Sequence, residues 1–359
     1  MSRQGEAMSD NRYHLQIAKL CERLGLGPLA GNPAERSGGL LHRTFALTTA
    51  SGNYAVKALN PVVMSRPAAK ANFLRSERIA ARMEARIPAM AAKSLGGGVL
   101  HDVQGQWYMV FDWVEGRACS PGEINEGHCA RIGGILAEIH RMDVAGFELP
   151  GEQPTGEPPA PADWLGLLAK GLDGGFVWAP RLQELAERLY AWEALANRSA
   201  AALAPEAVVS HRDLGPKNAM WHHGRPGLID WEAAGLIHPL LDTAETALYW
   251  AEDAAGLIDR DKLGAFMSGY ARGGRLPRHA EWRPVLEHGF LGKLGWLAYN
   301  LERSAGSGTA AADERRIGTE QAVATLEAVV RHAERIDALA QWLEAFGSEQ
   351  DGPDAKTIV

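Results

Sequence analysis

Three polar residues in one short stretch have the types and spacing to do chemistry. Residues 208–235 contain His211-Arg212-Asp213, Asn218 five positions after that aspartate, and Asp230 at the end of the apolar run Gly227-Leu228-Ile229. An aspartate, an asparagine and a second aspartate beyond a short hairpin form a metal–phosphate arrangement. Asp213 meets an acceptor hydroxyl, while the amide oxygen of Asn218 and the carboxylate of Asp230 hold Mg2+ against nucleotide phosphates. Mg2+ takes hard oxygen ligands and keeps several waters, so two side chains plus phosphate oxygens suffice. The chemistry implied is phosphoryl transfer from ATP. Taken singly, the residues say less. An aspartate before Leu-Gly-Pro also suits a turn, and one closing an apolar run also suits a cap.

Such a site needs a cation for the phosphates and elements to aim it. Tyr54-Ala55-Val56-Lys57-Ala58-Leu59 follows a Ser51-Gly52-Asn53 turn and reads as a strand ended by Pro61. A lysine inside an apolar strand must face an anion, because an unpaired buried ammonium is costly. Residues 68–84 read as a helix whose face carries Phe73, Glu77 and Ala80 at i, i+4 and i+7. A glutamate on that face needs a partner. Lys57 is the expected one, and surface pairing with Arg78 or Lys70 is the alternative. Upstream, Gly38-Gly39 lies between strand-like runs, where backbone N–H groups could approach phosphates. From those two glycines alone, a plain hairpin turn is the stronger reading.

The run His211-Arg212-Asp213-Leu214-Gly215-Pro216-Lys217-Asn218, with Leu228-Ile229-Asp230-Trp231-Glu232, resembles the aminoglycoside phosphotransferase and choline kinase group over roughly residues 35–300. The resemblance implies an α+β, protein-kinase-like bilobal fold: a small antiparallel sheet with a helix, then a large, mostly helical lobe. It implies ATP and Mg2+ as cofactors, with Asp213 catalytic and Asn218 and Asp230 on the metal. Lys57, Glu77, Gly38 and Gly39 would serve the nucleotide. The backbone at Asp112 and Val114 would meet the adenine edge in front of Phe111, and Asp242 would brace the catalytic loop. Leu136-Ala137-Glu138-Ile139-His140 also resembles a stretch of the family's large lobe. The implied boundaries are an N-terminal tail and helix (1–34), an N-lobe (35–115), a C-lobe (116–346) and a tail (347–359). Arg212 and Lys217 depart from the small residues many antibiotic kinases carry there, which loosens any antibiotic assignment.

The remaining chain reads as support. Residues 11–28 have helical spacing, and 98–103 and 106–114 are two strands around Gly105. Helices are expected over 123–142, from Trp164, over 180–203, from Pro239 to Trp250, and over 259–270, 282–301 and 313–346. Five prolines in 146–162 make that stretch a loop. No long activation segment and no Ala-Pro-Glu follow Asp230, which argues against a protein kinase acting on Ser, Thr or Tyr. Trp250, Trp296 and Tyr299 could box a cationic amine, although aromatics on helices more often fill a core.

Composition narrows the class. At 359 residues, 46% hydrophobic and 23% charged, the chain has the bulk of a globular protein. Cys21, Cys119 and Cys129 have no metal-ligand spacing. No apolar run reaches about 18 residues and the first ten residues are polar, so neither a membrane span nor a signal segment is expected and a cytoplasmic location follows. Residues 1–115 hold 14 Lys+Arg and 9 Asp+Glu, a net of +5, leaving −12 for the rest of a chain whose total is −7. A basic front half suits phosphates, and an acidic back half would steer a cationic acceptor. No basic stripe with interleaved aromatics points to nucleic acid, and no protein partner is indicated. The expectation is a kinase for a small-molecule hydroxyl. An aminoglycoside-like or other antibiotic acceptor leads, a metabolic acceptor such as choline, homoserine or a sugar is the alternative, and a non-catalytic pseudokinase comes behind both.

Overall fold

The computed structural model describes residues 13–36, 41–147, 161–203, 205–273, 276, 280–306 and 312–349. Helix α1 (Ile17–Leu24) buries Ile17, Leu20 and Cys21 and stops at Gly25, whose φ of 68° makes a left-handed cap that donates to the last carbonyls. That stop makes it shorter than the 11–28 span its periodicity suggested. Five antiparallel strands follow: β1 (Ala34–Arg36), β2 (Arg43–Thr49), β3 (Gly52–Ala58), β4 (His101–Val103) and β5 (Gln106–Asp112), in the order β1-β2-β3-β5-β4. Phe45, Leu47, Tyr54, Val56, Ala58, Tyr108 and Val110 alternate onto one face and close a core with α1. Lys57 stands between Val56 and Ala58, so it emerges on the opposite face. The β4–β5 hairpin turns through Gln104 and Gly105 at φ 55° and 85°, the pair of positive angles a two-residue turn of this hand needs.

Between β3 and β4 lie α2 (Pro61–Met64), capped by the Asn60 side chain, and α3 (Ala69–Met83). Helix α3 buries Phe73, Glu77 and Ala80, the face expected from their spacing. Its far end, through Ile79, Ala80 and Met83, belongs to the large helical core.

That core is built by α4 (Glu126–His140), α5 (Trp164–Asp173), α6 (Ala179–Ala202), α7 (Pro239–Ala251), α8 (Arg260–Ala271), α9 (Trp282–His288), α10 (Phe290–Ala305) and α11 (Ala312–Glu349). Two short antiparallel pairs are set into it: β6 (Val208–Ser210) with β9 (Gly235–Ile237), and β7 (Ala219–His222) with β8 (Arg225–Leu228). The single helix expected over 282–301 is two, α9 and α10, divided at Gly289. Glycine lets the chain bend there. A Cβ at Gly289 would lie 3.1 Å from the Leu286 carbonyl oxygen and 3.6 Å from the His332 ring of α11. Most of the proline-rich stretch, Gly38-Gly39 and the two chain ends lie outside the described residues. Among the described residues no helix is long and apolar enough to cross a membrane.

Helices α4 and α8 approach through Gly133 and Gly269. A Cβ on Gly269 would overlap the carbonyl oxygen of Ala130, whereas one on Gly295, exposed on α10, would meet nothing within 4 Å. Gly269→Ala is therefore expected to destabilise by about 1–3 kcal/mol through overpacking. Gly295→Ala should stabilise by roughly 0.5–1 kcal/mol through helix propensity. Urea unfolding of the two variants beside the parent measures both.

Candidate active site

Strand β6 delivers His211-Arg212-Asp213 to the base of the sheet, and the loop they begin is held from behind. Asp242, in the first turn of α7, is only 2% exposed and its Oδ2 accepts from Ser210 Oγ at 2.5 Å and lies 2.8 Å from His140 Nε2. His140 Nδ1 in turn lies 2.8 Å from the Tyr270 hydroxyl. Asp242 thus ties the first turn of α7 to Ser210, just before this loop, and to a buried histidine. His211 is fully buried and fixes its own tautomer. Its Nδ1 accepts the Asp213 N–H at 3.3 Å, so Nε2 carries the proton and donates to the Ile229 carbonyl at 3.0 Å. Burial holds this ring below the usual histidine range, in its neutral form.

Asn218 Nδ2 donates to the Asp213 carbonyl at 2.8 Å and to Asp213 Oδ2 at 3.0 Å. Those bonds fix which end of the amide is nitrogen and turn its oxygen away from Asp213. Lys217 Nζ also lies 2.9 Å from Asp213 Oδ2. Both donors therefore use the same carboxylate oxygen, and among the described residues no donor is bonded to Oδ1. The Ile229 N–H donates to the Asn218 carbonyl at 3.0 Å, which ties this loop to the residue before Asp230. Arg212 and Asp230 are both left-handed, at φ 63° and 64°. Non-glycine residues in that region cost about 1–3 kcal/mol each and cluster at functional sites.

Lys57 reaches across from β3. Its Nζ lies 2.5 Å from Asp230 Oδ1 and 3.2 Å from Glu232 Oε2, with the lysine side chain 13% exposed. Burial alone would pull the ammonium down. The two carboxylates outweigh it and hold Lys57 protonated, above the usual lysine range. Burial likewise works against Asp230, yet Lys57 keeps its carboxyl below the ordinary value. His42 completes the cluster. Its Nδ1 accepts the Asn60 N–H at 2.9 Å, and its Nε2 stands 3.4 Å from Glu232 Oε2. Burial first, and Lys57 second, lower His42 to about 3, so it stays neutral.

The expected Lys57–Glu77 pair is not formed, and surface pairing of Glu77 with Arg78 or Lys70 is not formed either. Glu77 is buried, with Oε2 accepting the Ala92 N–H at 2.6 Å, and the lysine takes Asp230 and Glu232 instead. Glu232 and His42 are the residues sequence reasoning left unassigned. The only available signal was a second carboxylate two positions beyond Asp230, in a one-turn 3-10 segment without periodicity.

At the other end of β5, Asp112 pairs with Lys93 at 2.6 Å. The Trp113 N–H is used by the Asn53 carbonyl at 3.2 Å, and Val114 follows beyond the strand. Phe111 packs on the Leu59–Phe73–Met109 cluster. Past Val114, Gly116 at φ 111° presses so closely on the Trp221 carbonyl that no Cβ fits, and Arg117 exchanges backbone hydrogen bonds with Trp221. The linker is thereby fastened to the β7–β8 hairpin that carries Asp230. The proposed aromatic box does not assemble. Trp250 is fully buried, donating to the Leu214 carbonyl at 2.8 Å, while Trp296 and Tyr299 stack on each other.

Burial pushes Glu77 up to about 7, against an unfolded value near 4.5. A carboxyl raised on folding contributes stability that is fully present below the unfolded value and lost as pH rises through the folded one. Glu77→Gln keeps an acceptor for Ala92 and removes the titration. The stability of the parent relative to this variant should fall by roughly 2–3 kcal/mol between pH 4.5 and 7 and then level off. Denaturant unfolding of both proteins at pH 5, 6, 7 and 8 reads this, and parallel curves would exclude it.

Among solved structures, the fold is similar to spectinomycin phosphotransferase APH(9)-Ia in complex with ADP and spectinomycin, with a TM-score of 0.65 and 10% identity over 89% of this chain and 98% of that one. Amicoumacin kinase hAmiN in complex with AMP-PNP, Ca2+ and Ami gives a TM-score of 0.60 at 12% identity, over 90% and 96% of the two chains. Choline kinase from Cryptosporidium parvum Iowa II gives 0.57 at 12% identity, over 92% and 99%. Compared sequence against sequence, the chain matches no curated protein. The model of the phosphotransferase enzyme family matches residues 34–284, which takes in β1 through α8 and the first residues of α9, Lys57 and the whole Asp213–Asp230 segment. The chain belongs to the phosphotransferase enzyme family.

Proposed function

We propose that this protein transfers the γ-phosphoryl group of ATP to a hydroxyl of a small molecule. The supporting observation is the convergence of residues far apart in sequence: Lys57 lies 2.5 Å from Asp230, 173 positions away, while Asn218 bonds Asp213 beside them. Lys57 is the cation for the phosphates. Asn218, through its amide oxygen, and Asp230, through the carboxylate oxygen Lys57 leaves free, are the hard-oxygen donors Mg2+ takes. Among the described residues no three His, Cys, Asp or Glu side chains group into a closed metal site, so the phosphates and water would supply the other ligands. When bound, the metal neutralises charge on the phosphates.

Asp213 presents Oδ1 to the acceptor while Asn218 and Lys217 hold Oδ2. The acceptor oxygen forms a bond to the γ-phosphorus as the bond to the β–γ bridging oxygen breaks. ADP leaves, and the hydroxyl proton passes to Asp213. The transition state of such transfers is loose, so positioning and charge outweigh base strength. His211, Asn218 and the Asp242 brace supply that positioning. Val114 and its neighbours at the end of β5, with Gly38 and Gly39 between β1 and β2, are proposed for the adenine and phosphate ends of the nucleotide. Glu77 is proposed as a buried support for this lobe through Ala92, and Glu232 as the second carboxylate on Lys57. The names of structural neighbours run from a spectinomycin phosphotransferase to a choline kinase, so the shared fold does not single out one acceptor class for this chain.

Asp213→Ala is expected to lower turnover by about 10²–10⁴-fold, the usual contribution of a positioned acid–base group. ATP affinity should stay within about threefold, because Asp213 faces the acceptor rather than the nucleotide. Single-turnover ATP consumption with an active acceptor, beside a Mg-ATP binding titration, measures the two separately. Undiminished turnover would remove the mechanism.

A further inference from the structure

A cavity of about 130 Å³ lies between α7, α9, α10 and α11. Its apolar wall includes Leu248 and Leu286, and its polar lining is Glu245, Tyr249, Glu252, Lys293, Arg331 and Arg335. Its link to the catalytic loop runs through α7: Trp250, next to the lining residue Tyr249, donates its indole N–H at 2.8 Å to the carbonyl of Leu214, the residue after Asp213.

The polar lining is poorly satisfied from within. Among the described residues Lys293 has no carboxylate at ion-pair distance, and its Nζ lies 5.7 Å from the Tyr249 ring centre. Arg331 likewise forms no ion pair among the described residues, and its buried Nε has no hydrogen-bond partner. Among the described residues Arg335 has one carboxylate at ion-pair distance, Glu252 at 3.9 Å. His332 is neutral, because burial holds it near 4, and it lies 2.8 Å from the Leu286 carbonyl through Nε2. Three cations thus face two carboxylates, and burial pushes one of these, Glu245, up to about 7. Half-buried cations with so few and such distant partners lack the compensation such groups need, and an anion from outside would supply it.

We infer that this cavity is the acceptor subsite and that the acceptor carries a carboxylate beside the hydroxyl it offers. The class is a small hydroxy acid or hydroxy amino acid, with its carboxylate on Lys293 and Arg331 and a hydrogen-bond donor on Glu245. A cavity of this size is close to one of about 150 Å³ that takes up benzene, so it suits a compact acceptor rather than a multi-ring one. The inference rests on the phosphotransferase reading given above.

The test is ATP consumption with L-serine, L-homoserine and D-glycerate, each beside its methyl ester, and with choline and kanamycin. Turnover is expected with a free acid, and its ester should lose about tenfold or more in kcat/KM. Lys293→Met should raise KM for that acid by about tenfold while changing kcat much less, the mark of lost binding rather than lost chemistry. Thermal shifts by the same acids, with Mg-AMP-PNP present, should be larger in the parent than in Lys293→Met. Esters as good as acids, turnover confined to choline or kanamycin, an unchanged KM in Lys293→Met, or equal thermal shifts for the two proteins would overturn the inference. Failure of the phosphotransferase reading itself looks different: no acceptor of any class would consume ATP, or turnover would be undiminished in Asp213→Ala.

Discussion

The ion pair between Lys57 and Asp230 is the constraint on which the rest of the structure depends. An ammonium 13% exposed in a sheet cannot be left alone, and the carboxylate that satisfies it comes from the other lobe. Losing one partner of such a buried pair costs about 3–5 kcal/mol, a large share of a typical domain's stability. Backbone bonds next to the pair fix the approach. Leu228 donates to the Pro88 carbonyl at 2.8 Å, and Met90 donates to the Leu228 carbonyl at 2.9 Å. The segment after α3 is therefore paired to β8 two residues before Asp230. The left-handed turn at Asp230 then aims its carboxylate back at the sheet, and the same turn carries Glu232 to the far side of the lysine.

The charge balance at Lys57 explains why Glu77 is turned away. One ammonium already faces two carboxyl groups, Asp230 and Glu232, and burial already pushes the second of these above the ordinary glutamate range. A third ionised carboxylate at close range would add like-charge repulsion in a poorly solvated place. Glu77 avoids this by taking the Ala92 N–H, a bond either protonation state can accept, and by holding its proton up to about pH 7. His42 contributes in the same direction. As a neutral ring it adds no charge, while its Nδ1 satisfies the Asn60 N–H where the chain leaves β3.

What was legible in the sequence was local. The separation of Asp213 from Asn218 and the short hairpin before Asp230 leave the chain little freedom, so those residues meet wherever the segment folds. Alternation put Lys57 on the face away from Val56 and Ala58, and helical spacing put Glu77 on the buried face of α3. The identity of the lysine's partner was not legible. Glu77 and Glu232 are both glutamates close to one ammonium, and the choice rests on a turn at Asp230 that no periodicity announces. The break at Gly289 was hidden for a related reason. Gly289, Gly292 and Gly295 look alike in sequence, yet a Cβ on the first would crowd its own chain at the Leu286 carbonyl and touch the His332 ring, one on the second would make only ordinary contact with Glu245, and one on the third would meet nothing within 4 Å. The aromatic box failed because Trp250 is claimed by the core and by Leu214, a contact made across the fold.

The acceptor question shows the same difference between bulk and local signals. Residues 116–359 are strongly acidic, which suggests a cationic ligand when charge is summed over the whole segment. Exposed charges are screened within about 8–10 Å at ordinary salt, so much of that sum is not felt inside a particular cavity. What a bound molecule meets is the lining, and there α10 and α11 place Lys293, Arg331 and Arg335. Many of the acidic residues spend their charge on partners outside that lining: Glu302 pairs with Lys170, Glu327 with Arg181 and Asp337 with Arg283. Net charge governs how a ligand is drawn toward the protein, but recognition is decided by the few side chains that lose water when it arrives. For this chain those side chains favour an anion.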